Sequence, residues 1–76
     1  MVRILVFGPL AERLGWRQME REVSPTSTIE EILSDLRLTA EECSTTTPMV
    51  DGKRCEISEL IGESSELALL PPVSGG

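Results

Sequence analysis

The chain ends on Pro71-Pro72-Val73-Ser74-Gly75-Gly76, and these six residues carry the group best placed for chemistry, the Gly76 carboxylate. Each proline fixes its own φ and lacks an N–H, so the apolar run Leu67-Ala68-Leu69-Leu70 cannot continue as a strand beyond Leu70. Two prolines in succession favour an extended path away from the body. Val73 and Ser74 are small, and Gly75 and Gly76 have no side chain. Six extended residues reach on the order of 20 Å. Such an arm can thread a narrow tunnel and place its terminal carboxylate at a distant reactive centre. Chain ends are usually frayed, so the rest of the chain must decide whether this one has a purpose.

Other chemistries lack their residues. The sequence has no histidine and no tyrosine, and two cysteines, Cys43 and Cys55. A cysteine nucleophile is usually activated by a neighbouring histidine. A zinc site needs more ligands than two separated thiols. Both cysteines are read as small, reduced hydrophobes, and no metal site is expected. With thirteen acids against seven bases the net charge is −6, and a basic patch for nucleic acid is missing. An acidic chain suits a basic partner surface, where charge speeds encounter. The longest apolar runs, Ile4 to Phe7 and Leu67 to Leu70, are too short to span a membrane. The first residues read as a strand rather than a signal peptide, which predicts a cytoplasmic protein.

Seventy-six residues predict one domain, near the size at which a single core is barely adequate. In residues 2–7, Val2, Ile4 and Val6 would face the core, with Arg3, Leu5 and Phe7 outward. Gly8-Pro9 ends that strand, and residues 10–15 form a helical turn or a loop. Residues 17–23 alternate as a half-exposed strand, the antiparallel partner of the first. Trp16 would cover one end of the core. Ser27 with Glu30 reads as a capping box opening the main helix, residues 28–37, whose stripe is Ile29, Ile32, Leu33 and Leu36. Thr39 with Glu42 repeats the capping pattern for one further turn, and Glu41 and Glu42 read as a solvated face.

Residues 45–50 are β-rich, Asp51-Gly52 signals a hairpin, and Lys53-Arg54-Cys55 is the return strand. Residues 57–61 form a brief turn that packs apolar side chains, and 62–65 a second turn. In the last strand, Glu66 to Leu70, Leu67 and Leu69 would enter the core. These segments predict an α+β domain, a mixed sheet of four to five strands on one main helix. The first and last strands are apolar enough to be central, parallel neighbours. Phe7 and Leu70 would then lie together on the solvent side near the departing tail, a candidate docking patch. The organisation is a domain over 1–70 and an extended tail over 71–76.

At this point the residues resemble a family. The opening Val2-Arg3-Ile4-Leu5-Val6-Phe7-Gly8 with Leu10, Glu12 and Gly15, the helix start Thr28-Ile29-Glu30-Glu31-Ile32-Leu33, the Val50-Asp51-Gly52 hairpin and the ending Leu69-Leu70-Pro71-Pro72-Val73-Ser74-Gly75-Gly76 are similar to the MoaD/ThiS group of ubiquitin-like β-grasp sulfur carriers. The likeness is strongest to small subunits of molybdopterin synthase, because thiamine carriers usually lack the diproline. Two departures occur: Ser64-Ser65 stands where the family often has Gly-Asp, and Asp51-Gly52 where it usually has Asn-Gly.

The resemblance implies that a MoeB-like, ubiquitin-activating-like adenylyltransferase spends ATP to form an acyl-adenylate on Gly76. A persulfide protein then supplies sulfur, leaving a C-terminal thiocarboxylate that donates it for the dithiolene of molybdopterin inside a MoaE-like large subunit. Pro71, Pro72, Val73, Ser74 and Gly75 would contact these partners along with Phe7 and Leu70. The chain would bind no cofactor itself and would be a non-catalytic subunit or co-substrate. Sulfur carriage for thiamine, tRNA or amino-acid thiolation, and a ubiquitin-like modifier conjugated through Gly76, are the alternatives.

Overall fold

The computed structural model describes residues 1–63 and 66–71. Eight elements follow in order: β1 (Val2–Val6), α1 (Gly8–Leu14), β2 (Gln18–Arg21), α2 (Ile29–Asp35), α3 (Ala40–Thr45), β3 (Thr47–Val50), β4 (Lys53–Arg54) and β5 (Glu66–Leu70). The strands form a single sheet in the order β2-β1-β5-β3-β4. The first and last strands are the parallel central pair that their apolar composition predicted, with Val6 opposite Leu69. Every other pairing is antiparallel.

Alternation divides the sheet into two faces. One row toward the helices runs Met19, Ile4, Leu67, Val50 and Lys53 across the five strands. The next row on that side contains Val6, Leu69 and Pro48. Ile4, Leu67 and Leu69 are wholly buried beneath Ile29, Ile32, Leu33 and Leu36 of the helical layer. Leu10 and Ala11 of α1, together with Leu38, Cys43 and Ile61, complete the core. Trp16 packs half-buried against it, as expected for a residue covering one end.

Several boundaries differ from the sequence reading, each for a local reason. Gly8-Pro9 does end β1, yet it also opens a full helix, because proline near a helix start sacrifices only an N–H that would lack a partner anyway. The layer above the sheet therefore has three helices. The capping box of α2 is Thr28 with Glu31, one residue later than Ser27 with Glu30. Both spacings satisfy the pattern, but Ser27 is committed to a turn: its N–H donates to Ser24 and its carbonyl accepts from Ile61 N–H, each at 2.9 Å. Thr39 and Glu42 do form the capping box of α3. Residues 57–61 do more than pack: the Glu59 and Ile57 carbonyls accept from Ile29 and Glu30 N–H at 2.9 and 2.8 Å. These bonds satisfy donors that a helix start leaves open.

α2 is shorter than predicted because Arg37 adopts a left-handed φ of 70°. Leu38 N–H then reaches the Leu33 carbonyl at 3.1 Å and Arg37 N–H reaches Ser34 at 3.0 Å, the pair of bonds that defines a Schellman stop. The hairpin turn has positive φ at Asp51 and Gly52, 48° and 84°, as a type I′ turn requires. Its return strand stops at Arg54, one residue short of the prediction, and β2 is trimmed to 18–21.

Candidate functional site

The sheet face away from the helices has its own row: Gln18, Leu5, Ala68, Met49 and Arg54 are successive register partners across all five strands. The three apolar members are at the centre, and the polar members sit on the edge strands. Toward the tail, Leu70 pairs with Thr47, and Phe7 extends the outward side of β1 with extended backbone angles of −136° and 159°. Phe7 is 42% exposed and Leu70 is half-buried. Away from the tail, Arg3 lies opposite Glu66 and 3.9 Å from its carboxylate. The result is an apolar strip bounded by charge at the far end and by the start of the tail at the near end.

The predicted site residues divide accordingly. The structure brings Phe7, Leu70 and Pro71 to the same end of β1 and β5. Pro72, Val73, Ser74, Gly75 and Gly76 lie outside the described residues, as do Ser64 and Ser65. Met49 was missed by sequence reasoning, because its place in the strip depends on the β3–β5 register, which no local pattern reveals. Leu5 and Ala68 were legible from alternation alone, since each shares a side with Phe7 or Leu70.

A second feature beside the tail also had no sequence signal. Arg13, on α1, donates from both Nε and Nη2 to the Glu42 carboxylate on α3, and its Nη2 also reaches the Arg37 carbonyl at 3.0 Å. Glu42, expected to cap α3 from a solvated face, is also an ion-pair partner across 29 residues of sequence. The Arg13 guanidinium, and next the Thr39 N–H, hold its carboxyl below the ordinary carboxylate value. Glu31 is held low chiefly by the Thr28 N–H that it accepts in the capping box.

The Cys43 thiol is a poor nucleophile in this setting. Burial, followed by the charges of Glu30 and Glu42, pushes the Cys43 thiol up, so it stays protonated. Cys55 is a second free thiol, half-buried against the core. Among the described residues, no helix is long and apolar enough to cross a membrane, and no cluster of His, Cys, Asp or Glu is arranged to hold a metal ion. Among the described residues, the arrangement offers a surface and an exit point for the chain and no acid–base constellation.

Solved structures share this architecture. A Pyrococcus furiosus protein provisionally named molybdopterin converting factor, subunit 1, superposes with a TM-score of 0.74, covering 95% of this chain and 97% of its own. At 14% identity, that is a likeness of fold. Small archaeal modifier protein 1 (SAMP1) of Haloferax volcanii superposes in two structures with TM-scores of 0.71 and 0.76 and identities of 25% and 24%. The first pairs 99% of this chain with 98% of that one, the second 95% with 97%. Among curated proteins none matches the sequence. The ThiS family profile matches residues 4–76, from the third residue of β1 through both terminal glycines. On that match this chain, folded as a ubiquitin-like β-grasp, belongs to the ThiS family.

Proposed function

We propose that the chain is a sulfur carrier that delivers sulfur for the dithiolene of molybdopterin, with residues 1–70 as the body and 71–76 as the arm. The observation that carries the reading is the placement of β5. It is a central strand with Leu67 and Leu69 wholly buried, and it runs directly into Pro71 and the double-glycine ending. A rigid central strand is a firm base for an arm whose end must meet a partner's reaction centre.

The chemistry follows from the weakness of a carboxylate as an electrophile. A Gly76 carboxylate oxygen attacks the α-phosphorus of ATP on a MoeB-like adenylyltransferase, and pyrophosphate leaves. The terminal sulfur of a persulfide protein attacks the resulting acyl carbon, and AMP departs with the bonding electron pair. A thiol then attacks the donor-side sulfur of this acyl disulfide, forming a disulfide there and releasing the thiocarboxylate on Gly76. That group is ionised at neutral pH, as its parent α-carboxyl is. It becomes the nucleophile inside a MoaE-like large subunit, where two such deliveries build one dithiolene.

This chain contributes no acid or base to these steps, in keeping with its lack of histidine and its protonated Cys43. Its contribution is binding and delivery. The strip of Phe7, Leu5, Ala68, Met49 and Leu70 meets the partner, while Pro71, Pro72, Val73, Ser74 and Gly75 enter the partner's tunnel. ATP is consumed by the activating partner, and the carrier itself holds no cofactor.

A second reading has its own support. The likeness to small archaeal modifier protein 1 favours a modifier whose Gly76 is joined to target lysines after the same activation step. Deleting Gly76, or adding one residue after it, separates both readings from an inert tail. Molybdopterin formation reconstituted with the large subunit is expected to cease with either variant, and its survival would refute the carrier reading. Lysine isopeptides on partner proteins would select the modifier instead.

A further inference from the structure

Pro71 is the first residue beyond β5, and it lies against the start of α1. A Cβ built on Gly8 would stand 3.6 Å from Pro71 Cγ and 3.8 Å from Pro71 Cβ, so this glycine is where helix and tail meet. Gly8 also has a φ of 61°, a conformation that side chains disfavour. Beyond the contact, an apolar cleft runs between α1 and α3, lined by Pro9, Leu10, Thr45, Thr46 and Pro71. The forked bond from Arg13 to Glu42 ties the two walls together, and Arg13 is fastened to the Arg37 carbonyl as well. α3 leads within two residues into Thr47, the register partner of Leu70. Pro71 is thus bracketed by α1 on one side and the α3–β3 junction on the other.

A proline has no N–H with which to fix itself to a neighbouring strand. The placement of Pro71 after Leu70 therefore rests on what its ring packs against. We propose that Gly8 and the Arg13–Glu42 pair are positioning residues, which set the direction in which the tail leaves the domain and hence where its carboxylate is delivered. The delivery part of this proposal rests on the reading of Gly76 as the reacting group. Gly8 acts through Pro71, and Arg13 and Glu42 act through the placement of α1 against α3. None of the three touches the reacting atoms.

The two glycines at the ends of α1, Gly8 as its first residue and Gly15 as its C-cap, supply a control. Gly15 shares the positive φ, at 85°, but a Cβ there would meet nothing within 4 Å. Gly8→Asn and Gly15→Asn both place a side chain at a positive φ, and only the first puts it in contact with Pro71. Arg13→Gln is a third variant, loosening the cleft without altering a backbone angle.

Two readouts are taken on the full chain: residual dipolar couplings of the Val73–Gly76 amides, and ATP–pyrophosphate exchange by a MoeB-like adenylyltransferase with the chain as substrate. A misplacement of about 1 Å at a reacting group costs on the order of 100-fold. Gly8→Asn and Arg13→Gln are expected to change the tail couplings and lower the exchange kcat by about tenfold or more, with KM held within about twofold. Gly15→Asn should match the wild type in both. Wild-type couplings in Gly8→Asn and Arg13→Gln, or equal changes in Gly15→Asn, would overturn the proposal. If the wild type supports no exchange, the reading of Gly76 as the reacting group fails, and the couplings, which need no partner, still decide the positioning.

Discussion

Val6 and Leu69 face each other across the two central parallel strands, and both are sealed from solvent, at 2% and 0% exposure. They form the last buried rung of the β1–β5 ladder before the chain turns into Pro71. The anchorage of the tail is therefore a hydrophobic one. Leu69→Ala removes buried methyl groups and leaves a cavity, an expected loss of about 2–5 kcal/mol in urea unfolding. A loss below about 1 kcal/mol would mean that the site collapses freely and the anchor is weak.

The outward strip behaves differently, because its side chains stabilise little of the core. Leu70→Glu and, separately, Phe7→Glu are expected to weaken binding to the adenylyltransferase or the large subunit by about tenfold or more, or ~1.4 kcal/mol. Calorimetric titration measures the affinity, and a thermal melt within a few degrees of wild type confirms the fold. Unchanged affinity would remove the strip from the binding surface.

Arg37 occupies a left-handed position that a side chain disfavours by about 1 kcal/mol. Arg37→Gly keeps the carbonyl that accepts from Arg13 and relieves the Cβ clash. The expected gain of about 1 kcal/mol would raise the melting temperature by roughly 4–8 °C in a domain of this size. An unchanged or lower value would show that the extra freedom of glycine in the unfolded chain offsets the relief.

Much of this architecture was legible in the residues. The alternation of Val2, Ile4 and Val6, and of Leu67 and Leu69, correctly identified the central strands, because a one-residue slip would expose every one of them. The stripe of Ile29, Ile32, Leu33 and Leu36 located the main helix for the same reason. The capping register was not legible, since Ser27/Glu30 and Thr28/Glu31 fit one pattern and only the bond from Ile61 N–H to Ser27 decides between them. Nor was the pairing of Arg13 with Glu42, which depends on how two short helices cross. At the candidate site, Phe7 and Leu70 were readable from strand alternation, whereas Met49 needed the register of β3 on β5.

Acid should weaken the fold through two carboxylates. Glu31 and Glu42 both titrate below the ordinary 4.5 in the folded state. Their stabilising contribution is present above that value and is lost as the pH falls through their lowered folded values. The urea midpoint of the wild type should decline below about pH 4.5, and that of Glu31→Gln/Glu42→Gln should decline less steeply. Parallel declines would show that neither bond persists in solution.

The central claim is that Gly76 carries sulfur, and intact mass spectrometry of the chain co-expressed with its activating enzyme and a persulfide donor tests it most directly. The account predicts a gain of about 16 Da confined to the C-terminal residue, oxygen replaced by sulfur in a group ionised as the α-carboxyl is. A chain recovered with its ordinary carboxylate, in cells where the activating enzyme forms the adenylate, would contradict it.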